Sequence, residues 1–177
     1  MKEDLKRAMK MLSAALEMEE KGRTFYERAV SICKNDMGKE IFQMLMEDED
    51  DHMVRIRSIH ETLSGKQSWP EHWKELKATH DDLGLVFEKM VKKRGVEIDV
   101  DTGALDALDT GIDFEAISVE FYEKQLTKAT DPLEQEFIGK MVAEERGHHA
   151  ALTDMKFYLS DPAGWFREKE RGGLDGG

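Results

Sequence analysis

Cysteine occurs once in the 177 residues, at Cys33. No disulfide can form within the chain, and no cysteine cage for zinc or iron can be built from it. Proline is nearly as scarce, at 3 residues, so little interrupts helix formation. No apolar run approaches the roughly 20 residues needed to span a bilayer. The opening stretch MKEDLKRAMKML breaks its apolar positions with charge too often for a secretion signal. A soluble, cytoplasmic protein with no membrane role is expected. Basic residues are outnumbered as well, 26 Lys and Arg against 38 Asp and Glu, and the net charge of -12 argues against nucleic acid as a partner. What the chain has in quantity is charge, at 36%, and methionine, at 11 residues, a composition that favours helix.

Within that composition one device is written twice, ninety-six residues apart. Glu19, Phe25, Tyr26, Glu49 and His52 recur as Glu115, Phe121, Tyr122, Glu145 and His148. Spacings agree to the residue: seven from Glu to Tyr, thirty from Glu to Glu, three from the second Glu to His. Such agreement marks a duplicated supersecondary unit. What is duplicated is a set of four carboxylates and two imidazoles.

Helical periodicity places these residues. A first helix is expected over 3–33, with the inward stripe Leu5, Ala8, Leu12, Ala15, Glu19, Gly22, Tyr26, Ala29 and Cys33. Asn35 and Asp36 supply capping chemistry for a second, over 36–63, with the stripe Phe42, Leu45, Glu49, His52, Ile56, Ile59 and Leu63. Residues 64–103 break the pattern at Ser64-Gly65, Trp69-Pro70, Gly84 and Gly95, leaving room for a short helix around Leu85–Lys93. The third stripe, in a helix over 104–129, is Leu105, Leu108, Ile112, Glu115, Val119, Tyr122, Leu126 and Ala129. Asp131-Pro132 opens a fourth helix over 132–159, and Asp161-Pro162 opens a short one over 162–170, with a frayed GGLDGG end. Short links make each consecutive pair an antiparallel hairpin, and the long middle segment can return the chain along a helix. The expected architecture is an all-α ferritin-like four-helix bundle with one long crossover, a single domain over 1–177.

Each long helix therefore carries one Glu in register with its apolar stripe. Glu20 and Glu144, the adjacent acids, fall off the stripes, so periodicity selects Glu19 and Glu145. A Glu and a His three apart share a helix face. Two such pairs and two single glutamates can converge on one point, where four negative charges match two divalent cations. Left without partners, four buried carboxylates would each cost several kcal/mol or be protonated. Oxygen-rich ligation with one imidazole per ion suits iron or manganese better than zinc. Tyr26 and Tyr122 are either aromatic core filler or hydroxyls that orient these carboxylates. In the acidic run 47–51 only Glu49 falls on the stripe, and its neighbours are expected on a solvated face. His149 is expected at a boundary, His60, His72 and His80 at the surface, and Cys33 in the core.

The double pattern Glu–x6–Tyr … Glu-x-x-His resembles the rubrerythrin family of ferritin-like di-iron proteins, and the likeness covers essentially the whole chain. The segments EEKGRTFYERA and FEAISVEFYEK and the tail DPAGWFREKE…GLDG are similar to members without a rubredoxin domain. The resemblance implies two iron ions, with manganese or zinc as substitutes, held by Glu19, Glu49, His52, Glu115, Glu145 and His148. Glu49 and Glu145 would bridge, and Tyr26 and Tyr122 would orient the carboxylates. It further implies reduction of hydrogen peroxide or dioxygen, electrons from an external donor such as a rubredoxin, and a homodimer. The alternative is ferroxidase or iron-binding activity without sustained turnover. Two departures stand out. A single cysteine cannot hold a rubredoxin-type iron, and Ser118, followed by Val119, stands where such proteins carry an extra carboxylate about one turn along the third ligand helix.

Overall fold

Stripes at spacings of three and four are realised as helices with capped ends. The computed structural model describes residues 2–66, 68–76, 78–80, 82–94 and 102–174. Helices α1 (Lys2–Ile32) and α2 (Asp36–Lys66) are followed by a 3-10 turn (His72–Glu75) and α3 (Leu83–Arg94). Then come α4 (Thr102–Leu126), α5 (Pro132–Ser160) and α6 (Pro162–Leu174). No strand occurs among the described residues, and no helix there is long and apolar enough to cross a membrane. The fold is the all-α ferritin-like bundle that the stripes predict.

The caps are those the sequence offers. Asn35 Oδ1 accepts the Gly38 N–H at 3.0 Å and starts α2. Asp131, in extended backbone, accepts the Leu133 N–H at 2.8 Å and the Glu134 N–H at 3.4 Å, with Pro132 at the first helical position. Asp161 Oδ1 accepts the Gly164 N–H at 2.9 Å and opens α6. Three boundaries differ by three residues or more: α2 runs on to Lys66 rather than 63, α6 runs on to Leu174 rather than 170, and α4 stops at Leu126 rather than 129. The chain turns at Thr127 and Lys128, and the side chain of Gln135 donates to the freed Ala129 carbonyl at 2.9 Å. The 3-10 turn has no apolar stripe to announce it. It buries Trp73 edge-on to Phe137, with ring centroids 5.4 Å apart. The expected break at Gly95 lies outside the described residues, as do the last three residues of the GGLDGG end.

Cross-helix pairs fix the directions. Arg23 meets Asp50 and Arg57 meets Glu20, so α1 and α2 are antiparallel; Arg146 meets Glu123 and Lys156 meets Asp109, so α4 and α5 are too. Arg7 Nη2 on α1 reaches Glu134 Oε2 on α5 at 2.6 Å, both near the starts of their helices, so those two run parallel. Helices α2 and α4 must then also run parallel, and only a long crossover can join them. A helix of 31 residues is about 46 Å long at 1.5 Å per residue.

The apolar interior is split in two. One cluster gathers Phe42, Leu45, Phe87, Leu152, Met155 and Trp165; the other gathers Leu12, Ile56, Ile59, Phe137, Ile138 and Met141. Between them lies a polar layer, where Glu19, Glu49, His52, Glu115, Glu145 and His148 are all buried. The packing of both clusters holds that layer in place. Replacing Asp131 with Ala should cost about 1 kcal/mol, because two N–H groups at the start of α5 lose their acceptor. Urea unfolding of the variant beside the parent chain measures it.

Candidate metal centre

All six residues singled out by the repeat come together. Glu19, Glu49, His52 and Glu145 can place one ligand atom each within 4.8 Å of one another, and so can Glu49, Glu115, Glu145 and His148. Glu49 and Glu145 belong to both groups. His52 Nδ1 lies 3.2 Å from Glu19 Oε2, 3.3 Å from Glu49 Oε2 and 3.1 Å from Glu145 Oε1. His148 Nδ1 lies 3.7 Å from Glu115 Oε2 and 3.8 Å from Glu145 Oε2. The two imidazole rings face each other, 5.5 Å apart and 19° from parallel.

The fit to cations is tested by the atoms left over. Both oxygens of Glu49, both of Glu145, Glu115 Oε2 and His148 Nδ1 are buried without a hydrogen-bond partner. Orphaned acceptors normally carry a large desolvation cost. Here they converge on one volume, as ligand atoms would. The residues present fit a pair of metal ions with carboxylate and imidazole ligands.

Protons take up the strain in the metal-free protein. Burial pushes Glu145 up to about 8, reinforced by Glu19 and Glu115 and opposed by His52. Burial and the neighbouring Glu19 raise Glu49 well above the carboxylate range. Burial also works against ionised Glu19, but the neighbouring Glu49 carboxyl, the charge of His52 and the Tyr122 hydroxyl outweigh it and hold Glu19 at about 2. Burial disfavours charge on the histidines too. Even so, Glu145 and Glu19 raise His52, and Asp48 and Glu115 raise His148, well above the usual imidazole value.

The tyrosines cross between the halves. Tyr26 donates to Glu115 Oε1 and Tyr122 donates to Glu19 Oε1, so each hydroxyl on one half orients the single glutamate of the other. Burial and the surrounding carboxylates push both phenols well above their ordinary value, so they remain donors. The tyrosines are therefore more than core filler, although they are also wholly buried. Gly22, one turn from Glu19, lets the Phe114 ring and the Glu49 carboxylate approach; a Cβ there would stand 2.6 Å from Phe114 Cε1 and 3.3 Å from Glu49 Oε1.

One expectation needs correction, and one off-stripe residue has a role that periodicity does not show. Asp48 does not sit on a solvated face: it is buried, and its Oδ2 lies 3.3 Å from His148 Nε2. Glu144, off the stripe, is only 20% exposed and its Oε2 lies 3.3 Å from His52 Nε2. Burial opposes its ionisation, but His52 and Arg55 hold it at about 2. Each outer imidazole nitrogen thus meets a carboxylate from the opposite hairpin. The reason is geometric. In a four-helix bundle a helix faces two neighbours as well as the centre, and the residue before a ligand points about 100° away, toward a neighbour. The repeat itself carried the signal, since Asp48 and Glu144 are also ninety-six residues apart. Arg55, 1% exposed and bonded through Nη1 to Glu144 Oε2 at 2.7 Å, carries no signal in the sequence, since arginine is rarely fully buried unless paired. The rest of the acidic run matches expectation: Asp50 pairs with Arg23, Asp51 accepts the Thr79 N–H, and Glu47 pairs with His80. His60 and His72 lie near the surface beside Ser13 and Ser58, and His149 is half-buried. Ser118 is buried and donates to the Phe114 carbonyl of its own helix at 3.2 Å. A cleft of about 390 Å³, lined by Arg55, His80, Lys140 and Glu144, opens over the outer sides of His52 and His148.

A helical bundle with four central glutamates and two Glu-x-x-His pairs fits the class of ferritin-like di-metal carboxylate proteins. Within that class, the family model described as Rubrerythrin matches residues 10–156, and the chain belongs to the rubrerythrin family. Comparison with curated proteins finds no match, and comparison with solved structures finds none either.

The titrations give a sign that can be checked. A proton held by folded Glu145 up to about 8 is stabilising at low pH, and that contribution is lost as pH rises through the window from the ordinary carboxylate value to 8. Glu49, His52 and His148, also raised, act in the same sense. Glu19 and Glu144 act oppositely, but only as pH falls below the ordinary carboxylate value toward 2. From about pH 5 to pH 8 the metal-free protein should therefore lose stability. The metal-loaded protein should gain it, because cations compete with those protons. Thermal melts of both forms should show a gap in Tm that widens with pH; a constant gap contradicts this electrostatic account.

Proposed function

We propose that the chain holds two iron ions between Glu19, Glu49, His52, Glu115, Glu145 and His148 and reduces hydrogen peroxide or dioxygen with electrons from an external donor. The observation that carries this reading is the pair of overlapping ligand groups sharing Glu49 and Glu145. Glu49 and Glu145, common to both groups, would serve both ions, Glu19 and Glu115 would each serve one, and His52 and His148 would give one imidazole to each. Iron held there would, as two ferrous ions, supply the two electrons needed to cleave an O–O bond, whereas manganese or zinc on the same residues would not supply the same redox chemistry. The Tyr26 and Tyr122 hydroxyls keep their protons and hold Glu115 and Glu19 in orientation while charge at the centre changes. Asp48 and Glu144 hold the outer nitrogens of His148 and His52, which aims Nδ1 inward. The single cysteine of this sequence cannot hold a rubredoxin-type iron, which supports an external electron donor of the rubredoxin kind.

A second reading, ferroxidase or iron binding without turnover, is favoured by Ser118. Its hydroxyl is turned back to its own helix and offers no carboxylate where the extra family ligand would stand. Anaerobic iron loading followed by stopped-flow mixing separates the two. Fast oxidation selective for peroxide supports reduction, and oxygen-driven deposition of many irons per chain supports ferroxidase activity. We extend the proposal to a homodimer, which a sedimentation measurement giving the single-chain mass at high concentration would end.

Metal content tests the ligand assignment. Glu49→Gln preserves shape but removes one of four neutralising charges and weakens a bridge to both ions, so at least one ion should be lost. Glu20→Gln, on an exposed residue paired with Arg57, should retain two. The reverse pattern in elemental analysis would contradict the assignment.

A further inference from the structure

The repeat is close to symmetric at the carboxylates and unsymmetric immediately outside them. On one side the outer nitrogen of His148 faces Asp48, whose ion pairs among the described residues involve His148 alone and whose Oδ1 is buried without a hydrogen-bond partner. On the other side the outer nitrogen of His52 faces Glu144, which also binds Arg55 Nη1 at 2.7 Å and Lys140 Nζ at 3.5 Å. Ninety-six residues along the repeat, Arg55 corresponds to Ala151 and Lys140 to Met44. Both cations are thus missing from the His148 half. Arg55 is fully buried, and its remaining guanidinium nitrogens, Nε and Nη2, have no hydrogen-bond partner, so neither an added acceptor nor bulk water offsets its charge.

We propose that the two halves of the centre are unequal cation sites, with the half at Glu115 and His148 filled first and Arg55 setting the difference. The inference rests on the di-metal reading and adds an order of occupation to it. Behind His148 stands one uncompensated negative charge. Behind His52 the negative charge of Glu144 is cancelled by Arg55 and further opposed by Lys140. One elementary charge acting on a dication over several ångströms at a protein-like dielectric changes affinity by at least about tenfold. Everything nearer the ions is matched between the halves: one Glu, one His, one tyrosine hydroxyl and the two shared carboxylates.

Two dications repel each other, so a two-step binding curve is expected of any such pair and decides nothing. The place of the first ion decides. Crystals of the unaltered protein equilibrated with one equivalent of Co(II) should show anomalous scattering concentrated beside His148. In equilibrium dialysis with Co(II), Arg55→Met should strengthen the second binding step at least about tenfold and leave the first nearly unchanged. Asp48→Asn should weaken the first step by a similar factor. A first ion beside His52, or an Arg55→Met variant that folds and binds as the parent does, overturns the proposal while leaving the di-metal reading intact. Should Arg55→Met fail to fold, the unaltered crystal alone decides. Total binding below two ions per chain removes the di-metal reading, and this inference with it.

Discussion

Glu19, Glu49, Glu115 and Glu145 meet inside a helical bundle, out of reach of water, and their mutual repulsion is the constraint to which the rest of the structure answers. Unneutralised, the four carboxylates would oppose folding by several kcal/mol each. Without metal, two of them hold their protons to unusually high pH, and both histidines stay charged. Tyrosine hydroxyls take one oxygen each of Glu19 and Glu115. What is left over is a set of orphaned acceptors aimed at a common volume, which two cations would satisfy at once. The apolar clusters above and below are what make the arrangement affordable in free energy. They fix the four helices on both sides of the polar layer, so the carboxylates cannot relax away from one another.

Much of this was legible because a buried ligand on a long helix must share the period of the apolar residues around it. That rule separated Glu19 from exposed Glu20, and the repeat confirmed the choice. The caps at Asn35, Asp131 and Asp161 were readable for a similar reason, since few residue types can satisfy the first N–H groups of a helix. Periodicity is blind to flanks, however. Asp48, Glu144 and Arg55 lie between helices rather than on a central stripe, and their roles depend on which neighbour each helix meets. The exchange of tyrosines between halves was hidden for the same reason: Tyr26 shares a stripe with Glu19, yet its hydroxyl reaches Glu115 across the bundle. Trp73 anchors its 3-10 turn on Phe137, a contact with no local pattern behind it.

Duplication explains both the symmetry and its limits. Two copies of one helical hairpin, packed face to face, place each ligand opposite its counterpart. The residues of the central cluster match between the two copies, and each would complete a charge and ligand count for bound cations. One shell further out the count is looser. There Arg55 stands against Ala151 and Lys140 against Met44, a difference of fixed charge between two nearly identical ligand sets. A centre built from a repeat can thus acquire two distinguishable ions without altering any ligand.

X-ray absorption at the iron edge, on protein loaded anaerobically with two equivalents of Fe(II), tests the central claim most directly. The account predicts oxygen and nitrogen ligation, about one imidazole per iron, no sulfur, and a second iron at roughly the 3.5–4 Å separation of two-metal sites. Iron with no metal neighbour, or with sulfur among its ligands, would contradict the assignment of Glu49 and Glu145 as carboxylates shared between two ions.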